Sequence, residues 1–89
     1  MTRMLIADDT EAIVQILQSY AIKEGYEVSV AHDGSQALTL ALANDYDIIL
    51  LDVMMPKVDG FTVVREIRKE SNVPILMITA RGEDFERIM

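Results

Sequence analysis

Three aspartates stand where apolar runs end. Met4-Leu5-Ile6-Ala7 leads into Asp8-Asp9, and Ile48-Ile49-Leu50-Leu51 leads into Asp52. A further run, Val73 to Ile78, ends at Thr79. Carboxylates brought within reach of one another repel, and a hard divalent cation with oxygen ligands relieves that repulsion. Magnesium takes few protein ligands and keeps waters, so two carboxylates and a backbone carbonyl would suit it. A metal held there would neutralise charge developing on a transferred phosphoryl group. A carboxylate beside it could be a nucleophile, with an aspartyl phosphate as product. Thr79 adds a hydroxyl able to bond a phosphoryl oxygen. Each acid alone is more simply a solvated strand-end residue, and only the combination points to a site.

The elements that must position these residues follow from periodicity. Arg3 to Ala7 reads as a short buried strand. Thr10 to Glu24 reads as a helix with Ile13, Ile16, Leu17 and Tyr20 inward and Gln18, Lys23 and Glu24 outside. Gly25 suits a left-handed C-cap. Tyr26 to Ala31 is a second strand. Asp33-Gly34 is a turn, and Asp33, Gly34 or Ser35 can cap the helix from Ser35 to Ala43, which turns Ala37, Leu38, Ala41 and Leu42 inward. Tyr46 to Leu51 is a third strand, apolar throughout and so covered on both faces. Gly60 to Glu70 is a helix carrying Val64 and Ile67, Val73 to Ile78 a fourth strand, and Arg81 to Met89 the beginning of a further helix. Strands alternating with helices imply an α/β fold of parallel strands joined by right-handed crossovers. Ligands in such sheets bind outside the carboxyl ends of the strands, where Asp8, Asp9, Asp52 and Thr79 all fall.

At 89 residues the chain is at most one small domain, and 51% apolar content supports a core. A net charge of -7 argues against direct binding of nucleic acid or an anionic membrane by this segment. The absence of cysteine excludes disulfides and thiol chemistry and fits a reducing compartment. No run approaches the roughly 18 apolar residues of a membrane span. A helix starting near Glu83 has room for few core contacts and leaves the fourth strand as a bare apolar edge, open to self-association. We therefore read the chain as a fragment of a larger domain. The alternative is a complete four-stranded domain with a frayed tail.

The remaining candidates are mostly structural. Pro56 biases Met55 away from helix and shapes the loop after the third strand. One of Met54 and Met55 packs that loop down, and Met54, two residues past Asp52, could offer its backbone carbonyl to the metal. Asp59-Gly60 reads as a turn and helix cap. Lys57 reads as a solvated residue, with electrostatic balance near the acids as the lesser alternative; His32 reads as a surface residue, and one histidine without cysteines makes no zinc site. The aromatic residues are too scattered for a base-stacking platform. No phosphate-binding glycine loop of the G-x-x-x-x-G-K-[ST] or G-x-G-x-x-G kind is present.

The chain resembles the receiver domain of two-component response regulators. The stretches that carry the resemblance are Met4 to Asp9, Ala31-His32-Asp33-Gly34, Asp47 to Gly60 and Pro74 to Ala80. The third of these is very specific. Thr79-Ala80-Arg81-Gly82 is most similar to the subfamily whose receivers are joined to a winged-helix DNA-binding domain. The resemblance implies a flavodoxin-like (CheY-like) doubly wound sheet with strand order 2-1-3-4 and the family's fifth strand missing. It implies that Asp52 accepts a phosphoryl group from a sensor histidine kinase. Asp9 would ligate Mg2+ (or Mn2+) directly and Asp8 mainly through water, with Asp52 and the Met54 carbonyl completing the set. Thr79 would be the switch hydroxyl, Ala80 the small residue that admits the phosphoryl group, and Met54 and Arg81 the positions that tune dephosphorylation. Pro56, Asp59 and Gly60 would shape the loop. A longer cytoplasmic parent would dimerise and control transcription, and the kinase would dock around Ala12 to Tyr20. The domain would be no turnover enzyme.

The departures also carry expectations. Thr10 stands where many members have a third acid. The lysine that pairs with the phosphoryl group ends the family's fifth strand and is absent here; Lys57 and Lys69 do not match it by position. Phosphoryl transfer is therefore expected to be slower than in a complete receiver. The alternatives are a receiver fragment or engineered half-domain that is inert or acts by self-association, a pseudo-receiver that binds partners without phosphorylation, and an aspartyl-nucleophile phosphohydrolase. The hydrolases of that kind carry Asp-x-Asp after the first strand, which this chain lacks.

Overall fold

The computed structural model describes residues 1–78 and the backbone of residues 86–88. The elements run β1 (Arg3–Ala7), α1 (Glu11–Lys23), β2 (Glu27–Ala31), α2 (Gly34–Ala43), β3 (Ile48–Asp52), α3 (Gly60–Arg68), β4 (Ile75–Ile78) and β5 (Glu86–Ile88). They form a sheet in the order β2-β1-β3-β4-β5. The first four strands are parallel, as the alternation of strands and helices predicts.

Alternation along each strand divides the core into two layers. Leu5, Ala7, Ile49, Leu51, Ile75 and Met77 point to one face and pack against Ala37 of α2 and Val63, Val64 and Ile67 of α3. Met4 and Ile6 point to the other face, where Ala21 and Leu17 of α1 meet them beside Ile48 and Leu50. The central strands are apolar on both sides because both faces are covered. Gly25, at φ 88°, ends α1 in the left-handed conformation expected of it.

The inward stripe of α1 differs from the expectation. Val14 and Ala21 are buried and Leu17 packs against the layer of Met4, Ile6 and Ala21, whereas Ile16 is 58% and Tyr20 69% exposed. The helix carries two overlapping apolar stripes. The stripe containing the small Ala21 lets the helix axis approach the sheet, and the bulkier Ile16 and Tyr20 are left outside.

The end of the chain also departs from it. Residues 86–88 are not helical: β5 runs antiparallel to β4, pairing Leu76 with Ile88, Met77 with Arg87 and Ile78 with Glu86. The outer edge of β4 is therefore not bare, and the proposed route to self-association through it is closed along these residues. The physical reason is the open edge itself. An unpaired strand offers a ladder of hydrogen bonds to any nearby backbone, whereas a helix of under two turns has barely passed its unfavourable nucleation.

Candidate metal centre

Strand register brings the acids together. Ala7 of β1 is paired with Leu51 of β3, so the residues that follow them, Asp8 and Asp52, emerge side by side. The Asp8 N–H donates to the Ala31 carbonyl at 3.1 Å, tying the turn after β1 to β2. Asp8 is 2% and Asp52 5% exposed, while Asp9 faces solvent. One carboxylate oxygen from each of the three lies within 4.8 Å of the other two.

The two buried carboxylates are each held by a backbone N–H two residues on. Asp8 Oδ1 accepts from Thr10 N at 2.8 Å, and Asp52 Oδ1 accepts from Met54 N at 3.0 Å. Burial pushes the Asp8 carboxyl above the ordinary carboxylate value, and the neighbouring charges of Asp52 and Asp9 push the same way; the Thr10 N–H opposes them. Three crowded acids, two of them withdrawn from water, form a donor set that fits a hard divalent cation. Bound there, the cation would supply the compensating positive charge.

The loop after β3 packs against both α2 and α3. Met55 is buried and packs the loop onto the α2–α3 face, while the Met54 side chain is 51% exposed. Asp59 caps α3, accepting from Thr62 N and Thr62 Oγ1, both at 3.0 Å. Those bonds hold its carboxyl below the usual range. Gly60 N donates to Val53 O at 3.2 Å. A Cβ on Gly60 would lie 2.6 Å from Val53 Cα and 2.9 Å from the Asp52 carbonyl oxygen, so α3 approaches the acidic strand end only through glycine. Of the three capping candidates for α2, Asp33 is the one that acts, accepting from Gln36 N at 2.7 Å.

Lys57 is more than a solvated residue. It is exposed but has φ 70°, and its Nζ lies 3.4 Å from Asp33 Oδ2. The sequence carries no sign of this pair beyond turn-forming residues at both ends. His32 is on the surface as expected, with Nε2 3.1 Å from Glu11 Oε2. Thr79, Ala80 and Arg81 lie outside the described residues. Ile78, which precedes them, is the register partner of Asp52.

Among the described residues, four parallel strands in the order 2-1-3-4, three helices on two faces and acids gathered at the carboxyl ends define an α/β domain of the flavodoxin-like class. The model of the response regulator receiver domain matches residues 4–89, and the chain belongs to that family. It is 44% identical over 89 residues to a transcriptional regulatory protein CpxR homolog of Haemophilus influenzae, covering 100% of this chain and 39% of the relative. It is 41% identical over 87 residues to the transcriptional regulatory protein ResD of Bacillus subtilis, covering 98% and 36%. The chain thus spans under two fifths of these curated relatives. Among solved structures, the response regulator TrrA of Thermotoga maritima in complex with Mg2+-BeF superposes with a TM-score of 0.86 at 36% identity, covering 92% of this chain and 72% of that one. The complex of histidine kinase ThkA with TrrA matches with a TM-score of 0.84 at 36% identity, covering 93% and 72%. Among the described residues, no helix is long and apolar enough to cross a membrane.

Proposed function

We propose that the chain is the phosphoacceptor part of a two-component signalling protein, in which Asp52 takes a phosphoryl group with the help of Mg2+. The observation that carries this reading is the convergence of Asp8, Asp9 and Asp52, with Asp8 and Asp52 buried. Asp8, Asp9 and Asp52, with the Met54 carbonyl, would hold the metal, Asp9 directly and Asp8 mainly through water. An Asp52 oxygen attacks the phosphorus of a kinase phosphohistidine. The new O–P bond forms as the P–N bond breaks, and the imidazole leaves with the bonding pair. Mg2+ would supply charge neutralisation at the phosphoryl oxygens. Thr79 would donate its hydroxyl to one of them, with Ala80 leaving room and Arg81 and the Met54 side chain tuning hydrolysis.

The domain acts once per signal rather than as a turnover enzyme. We read residues 1–89 as about three quarters of a receiver, within a cytoplasmic parent that dimerises and controls transcription through a winged-helix domain. The kinase would dock on α1 between Ala12 and Tyr20, where Ile16 and Tyr20 stand exposed. The ThkA–TrrA complex, between a kinase and a regulator similar to this chain, supports that class of partner.

Beryllofluoride, a stand-in for the phosphoryl group, tests the site. In 19F spectra with Mg2+, a bound resonance that disappears in Asp52→Asn is expected. Its absence from the wild type, or its persistence in Asp52→Asn, would contradict the assignment.

A further inference from the structure

The loop after β3 is clamped from two sides by glycines. Gly60 brings α3 against it on one side. On the other, Gly34 at the start of α2 donates its N–H to Pro56 O at 3.2 Å. A Cβ on Gly34 would fall 1.6 Å from the Val58 carbonyl oxygen and 2.6 Å from its carbonyl carbon. The obstacle is backbone, so no side-chain rotation could relieve it. Between Pro56 and Val58 sits Lys57 in the left-handed region, the only non-glycine residue with positive φ among those described. Glycine would adopt that conformation freely, and a side chain there is disfavoured. What lysine adds is an ammonium that reaches Asp33, the residue that caps α2.

The clamped loop carries Met54, whose N–H holds Asp52 Oδ1. We propose that Gly34 and the Asp33–Lys57 ion pair are positioning residues of the metal centre, fixing the loop so that Met54 and Asp52 keep the geometry a cation requires. The inference rests on the reading that the three carboxylates bind a divalent metal. An ion pair whose lysine is exposed and whose aspartate is only half-buried adds little to global stability, so its effect is to be sought in metal affinity, where supporting contacts matter more.

The sign of the effect discriminates. If Lys57 were only a positive charge near an acidic site, removing it would tighten cation binding. If it positions the loop, removing it weakens binding. The test is Mn2+ titration of the full chain, followed by electron paramagnetic resonance of the free ion. We expect Lys57→Gln and Asp33→Asn each to weaken Mn2+ binding by about threefold, well short of the roughly 10–100-fold seen for buried supporting contacts. The double variant should be no weaker than either single one, and Lys57→Arg should restore binding. Asp33→Asn keeps an oxygen for Gln36 N, so the helix cap survives. Gly34→Ala should weaken binding more, and the ion-pair variants carry the test if it fails to fold. Unchanged or tighter binding in Lys57→Gln, with a wild type that binds Mn2+, overturns the positioning role and leaves the metal reading standing. Wild-type binding that is absent, or insensitive to Asp52→Asn, overturns the metal reading and this inference with it.

Discussion

Asp8 and Asp52 stand side by side because Ala7 and Leu51, the residues before them, are paired across adjacent parallel strands. Both carboxylates are almost wholly buried, and neither has a cationic partner among the salt bridges of the described residues. A protein that withdraws two like charges from water without compensation loses stability unless a proton or a metal restores balance.

That arrangement fixes a pH dependence. The folded chain holds the Asp8 proton more tightly than the unfolded chain does. The stability of the metal-free protein therefore falls as pH rises from the ordinary value of 3.8 through the raised folded value. Asp8→Asn should stabilise the metal-free chain at neutral pH. It should also weaken the stabilisation that Mg2+ confers on the wild type. Thermal melts with and without Mg2+ at several pH values check both. A wild type whose stability rises with pH across that window would contradict the burial argument.

Asp59 carries the opposite sign. Its carboxyl is lowered first by the Thr62 N–H, so the stability it adds is present above 3.8 and is lost as pH falls through the lowered value. Asp59→Ala should lower Tm at neutral pH, and the difference should close in acid. A difference that persists at the acid end would show that the cap does not act through the ionised carboxylate.

Much of this was legible beforehand, for identifiable reasons. Apolar runs ending in acids, separated by helical patterns, are enough to place Asp8, Asp9 and Asp52 at one edge of a parallel sheet. Turn chemistry was enough to mark Asp59 as a cap. Other features were not legible. Helix α1 has two apolar stripes, and only packing against the sheet chooses Val14 and Ala21 over Ile16 and Tyr20. The pairing of β5 with β4 is set by the open edge that β4 offers, which the residues of β5 do not record in their own pattern. The contact of Gly34 with the loop after β3 joins residues whose neighbours in sequence say only that each is a turn.

The choice of stripe on α1 can be measured. Val14→Ala should cost about 2 kcal/mol, because Val14 is 1% exposed. Ile16→Ala should stay within about 0.5 kcal/mol of wild type. Denaturant unfolding separates the two, and equal losses would mean that Ile16 is buried after all. If the kinase docks on α1, Tyr20→Ala should leave stability unchanged and slow phosphoryl transfer from the kinase.

Gly60→Ala should cost about 1–3 kcal/mol, since the new methyl meets backbone atoms that cannot move aside without shifting the loop. The same shift should loosen Mg2+ binding. A stable Gly60→Ala variant with unaltered metal affinity would show that α3 and the loop tolerate separation.

The central claim is that Asp52 accepts a phosphoryl group at a metal site built by Asp8 and Asp9. The most direct measurement is intact mass after incubation with Mg2+ and a small acyl phosphate. We predict a single phosphoryl adduct that is lost in Asp52→Ala and on chelation of the metal. No adduct on the wild-type chain, or an adduct that survives in Asp52→Ala, would contradict the account.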